Sequence, residues 1–549
     1  MKLRISALIF GTLFLAFLLR GQQSPNKNTN PKSPLKKTID YKQSWKKVDS
    51  LAERDLPKSA LPILENIYAK AKAEGNTNEL IKSLLYMLRL ENALNENAED
   101  KSYRRLKNEI AKSDFPTKAI LQSVLAQQLE NYFNAHRWNI LSQTKLEQKT
   151  PDSLNQWNVL DFEREIKNYY LQSISEKNRL QKEPVRKYET ILQTQTGSDT
   201  LRPTLYDLLA FRALNYFSSS QQNNTNAEQE NITQLQLLTD AKAFSALDIY
   251  AIFPKLDKMD KRLQALAIYQ EIIRFHLADK NPAALVDADL SRLKYAFDIL
   301  TTEEKNDAYY KALLQIENAY KTNEASAEAG FTRAQFVLIG YKPKDSDANS
   351  SLQKIALQIC ENYITKFPNS FGGKNCASLK ATILTNSFSI KTEKTYLPEN
   401  DIKLKLEYKN VSQVYYRINK ISPELFLENS YSYSLDSATF ANLVKLNSLQ
   451  QKQVNLVATD DYLQHSTEIA IDKLGFGIYA VLVSANKDFS WEDNQLALSK
   501  FVVTNLSATA ENRPEKNTLL YVRDAKNGSP IKAAEVKIFL QNYNNTSNK

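Results

Sequence analysis

Ile402-Lys403-Leu404-Lys405-Leu406-Glu407 places apolar and charged residues in strict alternation, so one side of an extended chain is greasy and the other is charged. This is the pattern of a half-buried β-strand. It divides the 549 residues into two regions with different spacing rules. Upstream, from Tyr41 to about Ser387, apolar residues recur at helical intervals; downstream they alternate. The fold class that follows is α then all-β, multidomain. An irregular helical-repeat array of tetratricopeptide-like helix pairs is expected over 41–387, and an antiparallel β-sandwich over 388–508.

The helical reading is clearest at Ala60, Ile63, Leu64, Ile67, Tyr68 and Ala71, which form one stripe that Gly75-Asn76 stops. Leu80, Ile81, Leu84, Leu85 and Leu88 form the next. Further helices are expected over 120–133, 205–217, 263–275, 290–300 and 352–364, without a strict repeat. Residues 361–370, Glu-Asn-Tyr-Ile-Thr-Lys-Phe-Pro-Asn-Ser, resemble the end of a tetratricopeptide helix and its turn. The stretch 218–234, rich in Ser, Gln and Asn, reads as a polar loop.

On the β side, strands are expected at 414–418, 469–471, 477–483 and 496–504. Residues 505–517 read as a linker. Beyond it, Leu519-Leu520-Tyr521-Val522-Arg523-Asp524 and Ala534-Glu535-Val536-Lys537-Ile538-Phe539 flank Asn527-Gly528, a dipeptide suited to a hairpin turn. A lone hairpin is marginal in water, so 509–549 is expected to open a second, incomplete sandwich, with this chain a fragment of a longer protein.

Lys2 and Arg4 precede an apolar run, Ile5 to Leu19, that is short for a membrane span, so 1–22 reads as a signal peptide. Cleavage is expected near Gly21 or Gln22, with an uncleaved anchor as the alternative. The expected location is the periplasm or cell envelope. The net charge of +10 is concentrated at the front: residues 1–50 hold ten Lys or Arg against Asp40 and Asp49. The remainder is nearly neutral, which argues against a nucleic-acid partner. The basic stretch 23–40 is a polar linker, with a weak membrane tether as its other reading.

Little in the sequence points to catalysis. His136, His276 and His465 lie in separate segments, and no metal site is assigned to them. Gly372-Gly373-Lys374 lacks the first glycine and the following Ser or Thr of a phosphate loop. Asp345, Asp347 and Asn349 copy half of a calcium loop, but Ser350 and Ala356 replace its glycine and its glutamate. Asp287 and Asp289 are read as caps of a helix beginning at Leu290. Tyr132, Phe133, Tyr169, Tyr170, Tyr216 and Phe217 are read as core rather than a carbohydrate platform. Cys360 and Cys376, with fifteen residues between them, are a candidate disulfide or two buried thiols. No catalytic, cofactor or metal residue is assigned, and the chain is not expected to be an enzyme.

Four sets of segments follow in order: Trp45-Lys46-Lys47-Val48-Asp49-Ser50-Leu51 with Leu56-Pro57-Lys58-Ser59-Ala60; Arg202-Pro203-Thr204-Leu205-Tyr206-Asp207-Leu208-Leu209-Ala210; Gly477-Ile478-Tyr479; and Gly528-Ser529-Pro530-Ile531 with Ala534-Glu535-Val536. Together they resemble the N-terminal part of the bacterial alpha-2-macroglobulin family, in the form found in large exported proteins of the Bacteroidetes group. The resemblance implies a macroglobulin-type sandwich and the N-terminal scaffold of a broad-spectrum endopeptidase inhibitor, with proteases as partners of the complete protein. The family's thioester needs a cysteine followed closely by Glu-Gln. Here Glu361-Asn362-Tyr363 follows Cys360 and Ala377-Ser378-Leu379 follows Cys376, so bait and trapping regions are expected beyond residue 549. The competing expectation is an envelope module that binds a protein or glycan.

Overall fold

The computed structural model describes residues 40–94, 98–143, 153–192, 197–219, 231–427, 437–512 and 518–537. The expected signal peptide and nearly all of the basic linker lie outside these residues, as does most of the polar loop. Two compact units divide the chain, residues 1–329 and 330–549. The change from helix to strand falls at Ser387, inside the second unit.

The longer helices of the first unit are α1 (Tyr41–Glu53), α2 (Pro57–Glu74), α3 (Thr77–Leu94), α4 (Ala98–Lys112), α5 (Thr117–Ala135), α6 (Val159–Ser173), α7 (Leu205–Phe217), α8 (Lys261–His276), α9 (Ala283–Ile299) and α10 (Lys305–Ala319). Their ends follow from local chemistry. Pro57 opens α2, where a missing N–H is harmless, and Gly75 at φ +65° closes it. Asn158 with Asp161, and Thr204 with Asp207, form reciprocal capping boxes at the starts of α6 and α7. The α2–α3 pair matches the stripes read from sequence, burying Leu64, Ile67, Ile81 and Leu84.

α11 (Ser326–Leu338) crosses the division between the units, and α12 (Leu352–Lys366) and α13 (Phe371–Leu384) follow in the second. Ser351 and Ser370 cap the last two by accepting backbone N–H bonds. Gly373 is required by crowding: a Cβ there would lie 2.0 Å from the Phe367 carbonyl oxygen. Gly372-Gly373-Lys374 is therefore the first turn of a helix, with both glycines buried and Lys374 exposed.

The strands are β1 (Ser387–Lys391), β2 (Thr395–Tyr396), β3 (Ile402–Lys409), β4 (Gln413–Lys420), β5 (Ser448–Asn455), β6 (His465–Ile471), β7 (Gly477–Ser484), β8 (Leu496–Val503), β9 (Leu506–Asn512) and β10 (Thr518–Asp524). One sheet is ordered β1-β3-β6 and the other β2-β8-β7-β4-β5, antiparallel except for the β2–β8 pair. Ile402, Leu404 and Leu406 of β3 face Tyr416, Ile418, Val481 and Phe501 in one core. The opposite face of β7, Ala480 and Leu482, packs on Phe440 and Leu443 of α14 (Ser437–Lys445). Coverage on both faces explains why β7 is a continuous apolar run, whereas β3 alternates.

The terminal hairpin differs from its expectation. Thr518–Asp524 pairs with Leu506–Asn512, in full register, so the expected linker contains a strand. Residues 534–537 form none, and 538–549 lie outside the described residues. After the turn at Gly528, Pro530 makes only an isolated bridge to Arg523, because proline offers no ladder N–H. Ser507-Ala508-Thr509-Ala510 is low in hydrophobic contrast, which hid β9 from a reading by alternation. Polar β5, Ser-Leu-Gln-Gln-Lys-Gln-Val-Asn, was hidden likewise because it is an edge strand.

Candidate functional site

Residues of four helices of the first unit line a small cleft of about 20 Å³, room for about one water molecule. Glu130, Phe133 and Asn134 share one face of α5 by helical spacing, and Phe162, Glu163 and Ile166 come from α6. Tyr216, near the end of α7, and Lys261, the first residue of α8, complete the lining with Ser219.

Tyr216 is fixed by stacking on Tyr170 at 5.5 Å and an edge contact with Phe217 at 5.2 Å. The Tyr216 hydroxyl is buried without a hydrogen-bond partner. The Lys261 ammonium sits 4.0 Å from the Tyr216 ring centroid, a cation–π contact. The α8 cap next to it is self-contained, with Asp260 accepting from the Arg262 backbone and guanidinium. Burial pulls the Lys261 amine below its ordinary pKa, with the Glu163 charge opposing. Burial pushes Glu130 up, partly offset by the Tyr170 hydroxyl at 3.1 Å and by Lys261 and Arg212. Behind the cleft, buried Arg212 donates to Ser123 Oγ at 2.8 Å.

A second polar cluster surrounds His276 at the end of α8. Its Nε2 lies 2.9 Å from Asp207 Oδ1 and its Nδ1 2.7 Å from Asp279 Oδ2. Burial disfavours the imidazolium, but the bonds and charges of Asp207 and Asp279 outweigh it and raise the His276 pKa. Asp207 thus serves both the α7 capping box and His276. Asp287 is held by Arg202 Nε at 3.4 Å, and burial pushes it up. Glu328 is raised to about 8 by burial and then by Asp287.

Asp287 and Asp289 correct the capping expectation. Both lie inside α9, which starts at Ala283 after Pro282, about two turns earlier than the apolar stripe suggested. Asp289 pairs with Arg292, which also donates to the carbonyls of Leu237, at 2.6 Å, and Thr239, at 3.0 Å. Arg292 is a staple fixing the 235–239 segment.

The three histidines are not brought together, and among the described residues no His, Cys, Asp and Glu group is arranged to hold a metal. The sequence reading missed their carboxylate partners: Glu99 for His136, Asp461 for His465, and the pair around His276. Asp279 and Asp461 stand three and four residues from their histidines, near enough to be legible although neither pair lies within one helix; Asp207 and Glu99 are distant in sequence. Asp347 closes its own turn by accepting from Asn349 N at 3.0 Å, as a polar surface loop does. Cys360 and Cys376 are buried and unbridged on α12 and α13, where a hydrogen bond from Cys376 lowers the Cys360 pKa. Phe133, Tyr169, Tyr170, Tyr216 and Phe217 are buried, and two of them, Phe133 and Tyr216, also line the cleft.

No family model matches the chain, and no curated protein matches it. A solved structure similar to part of it is native alpha-2-macroglobulin from Escherichia coli spanning domains MG0-NIE-MG1. The identity is 15% and the TM-score 0.21, over 27% of this chain and 47% of that one. The chain therefore spans about half the length of the solved chain it matches.

Proposed function

We propose that this chain is the non-catalytic N-terminal scaffold of an alpha-2-macroglobulin-like endopeptidase inhibitor, exported to the bacterial envelope. The observation that carries this reading is the order of modules: helices, then a two-sheet sandwich, then a separate β9–β10 hairpin. Opposed residues of that hairpin put Leu506, Ala508, Ala510, Leu520 and Val522 on one face, where Leu506 is 48% and Leu520 42% exposed. A bare apolar sheet face calls for a second layer, as in a further sandwich placed in series. Bait and trapping regions belong to that continuation, and proteases are its partners.

Reading the gene past codon 549 tests the proposal. A continuing frame with further sandwich domains and a Cys-x-Glu-Gln stretch supports trapping. The complete product should then shield an endopeptidase from large protein substrates while small peptides are still cleaved; residues 23–549 alone should do neither. A complete product that leaves the protease unshielded overturns the proposal. Export is tested by N-terminal sequencing of the product from the envelope fraction, which should begin near Gln22.

A further inference from the structure

The two edges of the β9–β10 hairpin differ. The chain returning from the turn backs β10: the Asp524 N–H donates to the Ser529 carbonyl at 2.8 Å and the Ile531 N–H to the Val522 carbonyl at 3.0 Å, with Pro530 between them. Against the outer edge of β9 no strand lies among the described residues, and all seven residues of β9 are exposed. The phase of the hairpin shows what that edge offers. The Ala525 N–H donates to the Asn505 carbonyl at 2.7 Å, so the hydrogen-bonded pairs with β10 continue at Ser507, Thr509 and Glu511. The N–H and C=O groups of Ala508, Ala510 and Asn512 therefore point away from β10. Leu506 points the same way, but its N–H is taken by Thr504 Oγ1 at 3.0 Å.

Sheet edges left open to solvent are ordinarily guarded by charge, proline or shortness. The sandwich follows this rule: its edge strands β1, β6 and β5 carry Lys391, Glu468 and Lys452, and its edge strand β2 is two residues long. Residues 506–510, Leu-Ser-Ala-Thr-Ala, hold neither charge nor proline. The stretch is also complementary to itself. A second copy laid antiparallel about a two-fold axis at Thr509 sets Ala508 opposite Ala510, Ser507 opposite Glu511 and Leu506 opposite Asn512, so that no like charges meet. Outward-pointing backbone groups then meet outward-pointing groups, and the apolar faces of both hairpins fall on one side of a four-stranded sheet. We propose that the chain forms a two-fold dimer by pairing β9 with β9 of a second copy, centred on Thr509. The pairing uses the edge of the hairpin and leaves its apolar face to the second layer that the inhibitor reading requires, so either can fail without the other.

The two-fold axis gives the proposal a signature that other interfaces lack. Ala510→Pro removes one outward N–H from each copy and no ladder bond of the hairpin itself, and should weaken association about tenfold. Thr509→Lys and Thr509→Glu each set like charges directly opposite one another across the axis, and each should weaken self-association several-fold. Mixed together, T509K and T509E set opposite charges there and should form a heterodimer tighter than either variant alone.

Sedimentation velocity on the full chain, from low to high micromolar concentration, reads the association. A dimer of the parent, weakened in A510P and in each charge variant and restored by mixing T509K with T509E, is the expected result. A parent that stays monomeric throughout overturns the proposal. So does a dimer that all three variants leave unchanged, which would assign the contact to another surface. A mixture of T509K and T509E that associates no better than either alone also overturns it, because the two copies then do not meet at Thr509. If A510P lowers the urea midpoint of the second unit, the charge variants decide, since Thr509 is exposed.

Discussion

The helical unit buries charge, and the sandwich unit keeps charge at its surface. Asp161, Asp207, Arg212, His276, Asp289, Arg292 and Glu317 are all buried in the first unit. Among the described residues of the second, the buried polar side chains are Ser370, Asn419, Thr439 and Ser484, none of them ionisable. Charged pairs there, such as Lys403 with Glu468, are 63% exposed on each side. Side chains on an irregular array of helices meet at crossings of uneven depth, where carbonyls of loops such as 237–239 need donors. A pleated sheet satisfies its own backbone and offers one smooth face to fill. The first unit is thus held by specific partners as well as by area, and the second mainly by area.

The largest effects that bear on this contrast are expected from Arg292→Ala and Phe501→Ala, each destabilising its own unit by about 3–5 kcal/mol in urea unfolding. Their rescue should differ. Asp289→Leu added to Arg292→Met should recover part of the Arg292 loss, because it removes the stranded carboxylate but leaves the Leu237 and Thr239 carbonyls without their donor. No second change of charge should recover Phe501→Ala. If R292A unfolds at the parent's urea concentration, the staple is not holding the 235–239 segment.

A smaller, pH-dependent effect is expected at Glu328. Its folded pKa is raised from 4.5 to about 8, so between those values the folded state holds a proton that the unfolded state has released. The associated stability is fully present below the ordinary glutamate value, falls as pH rises by at most about 1.4 kcal/mol per unit, and levels off above about 8. Glu328→Gln should flatten that slope in the first unit's transition; an unchanged slope would assign the proton to another group. His276, whose folded pKa is also raised, contributes in the same direction, losing stability as pH rises through its folded value.

The thiols give a qualitative comparison within the second unit. Cys360 and Cys376 should resist alkylation in the native protein and count as two thiols after unfolding; a count of zero would reveal a bridge between α12 and α13. The smallest effect is expected from Lys403→Ala, which should leave the urea midpoint essentially unchanged, because both partners stay hydrated. A larger loss would contradict the surface role given to charge in the sandwich.

How much was legible beforehand follows the same division. The Ile402–Glu407 alternation located β3, and the apolar run at 477–483 located β7, because side-chain period 2 and two-sided burial leave local marks. Polar β5 and Ala-rich β9 left none, since an edge or exposed strand is stabilised by backbone pairing with a neighbour. The stripes of α2 and α3 were plain, and α7 was read to the residue. The cleft was not legible. Tyr216 and Phe133 were recognised as aromatic residues of the core, but nothing near Lys261 in sequence marks it as meeting residues from α5, α6 and α7.

The sequence by itself therefore determined helices first and strands after, the place of the change, and the faces that each long element buries. Those properties depend on residues a few positions apart, whose spacing is fixed by helix and strand geometry. Tertiary structure alone decided that Asp207 and His276, 69 positions apart, share a bond, that Arg292 reaches the carbonyls of Leu237 and Thr239, and that Tyr216 keeps an unpartnered hydroxyl. Such contacts form between helices whose crossing depends on the packing of the whole unit, so no local spacing records them.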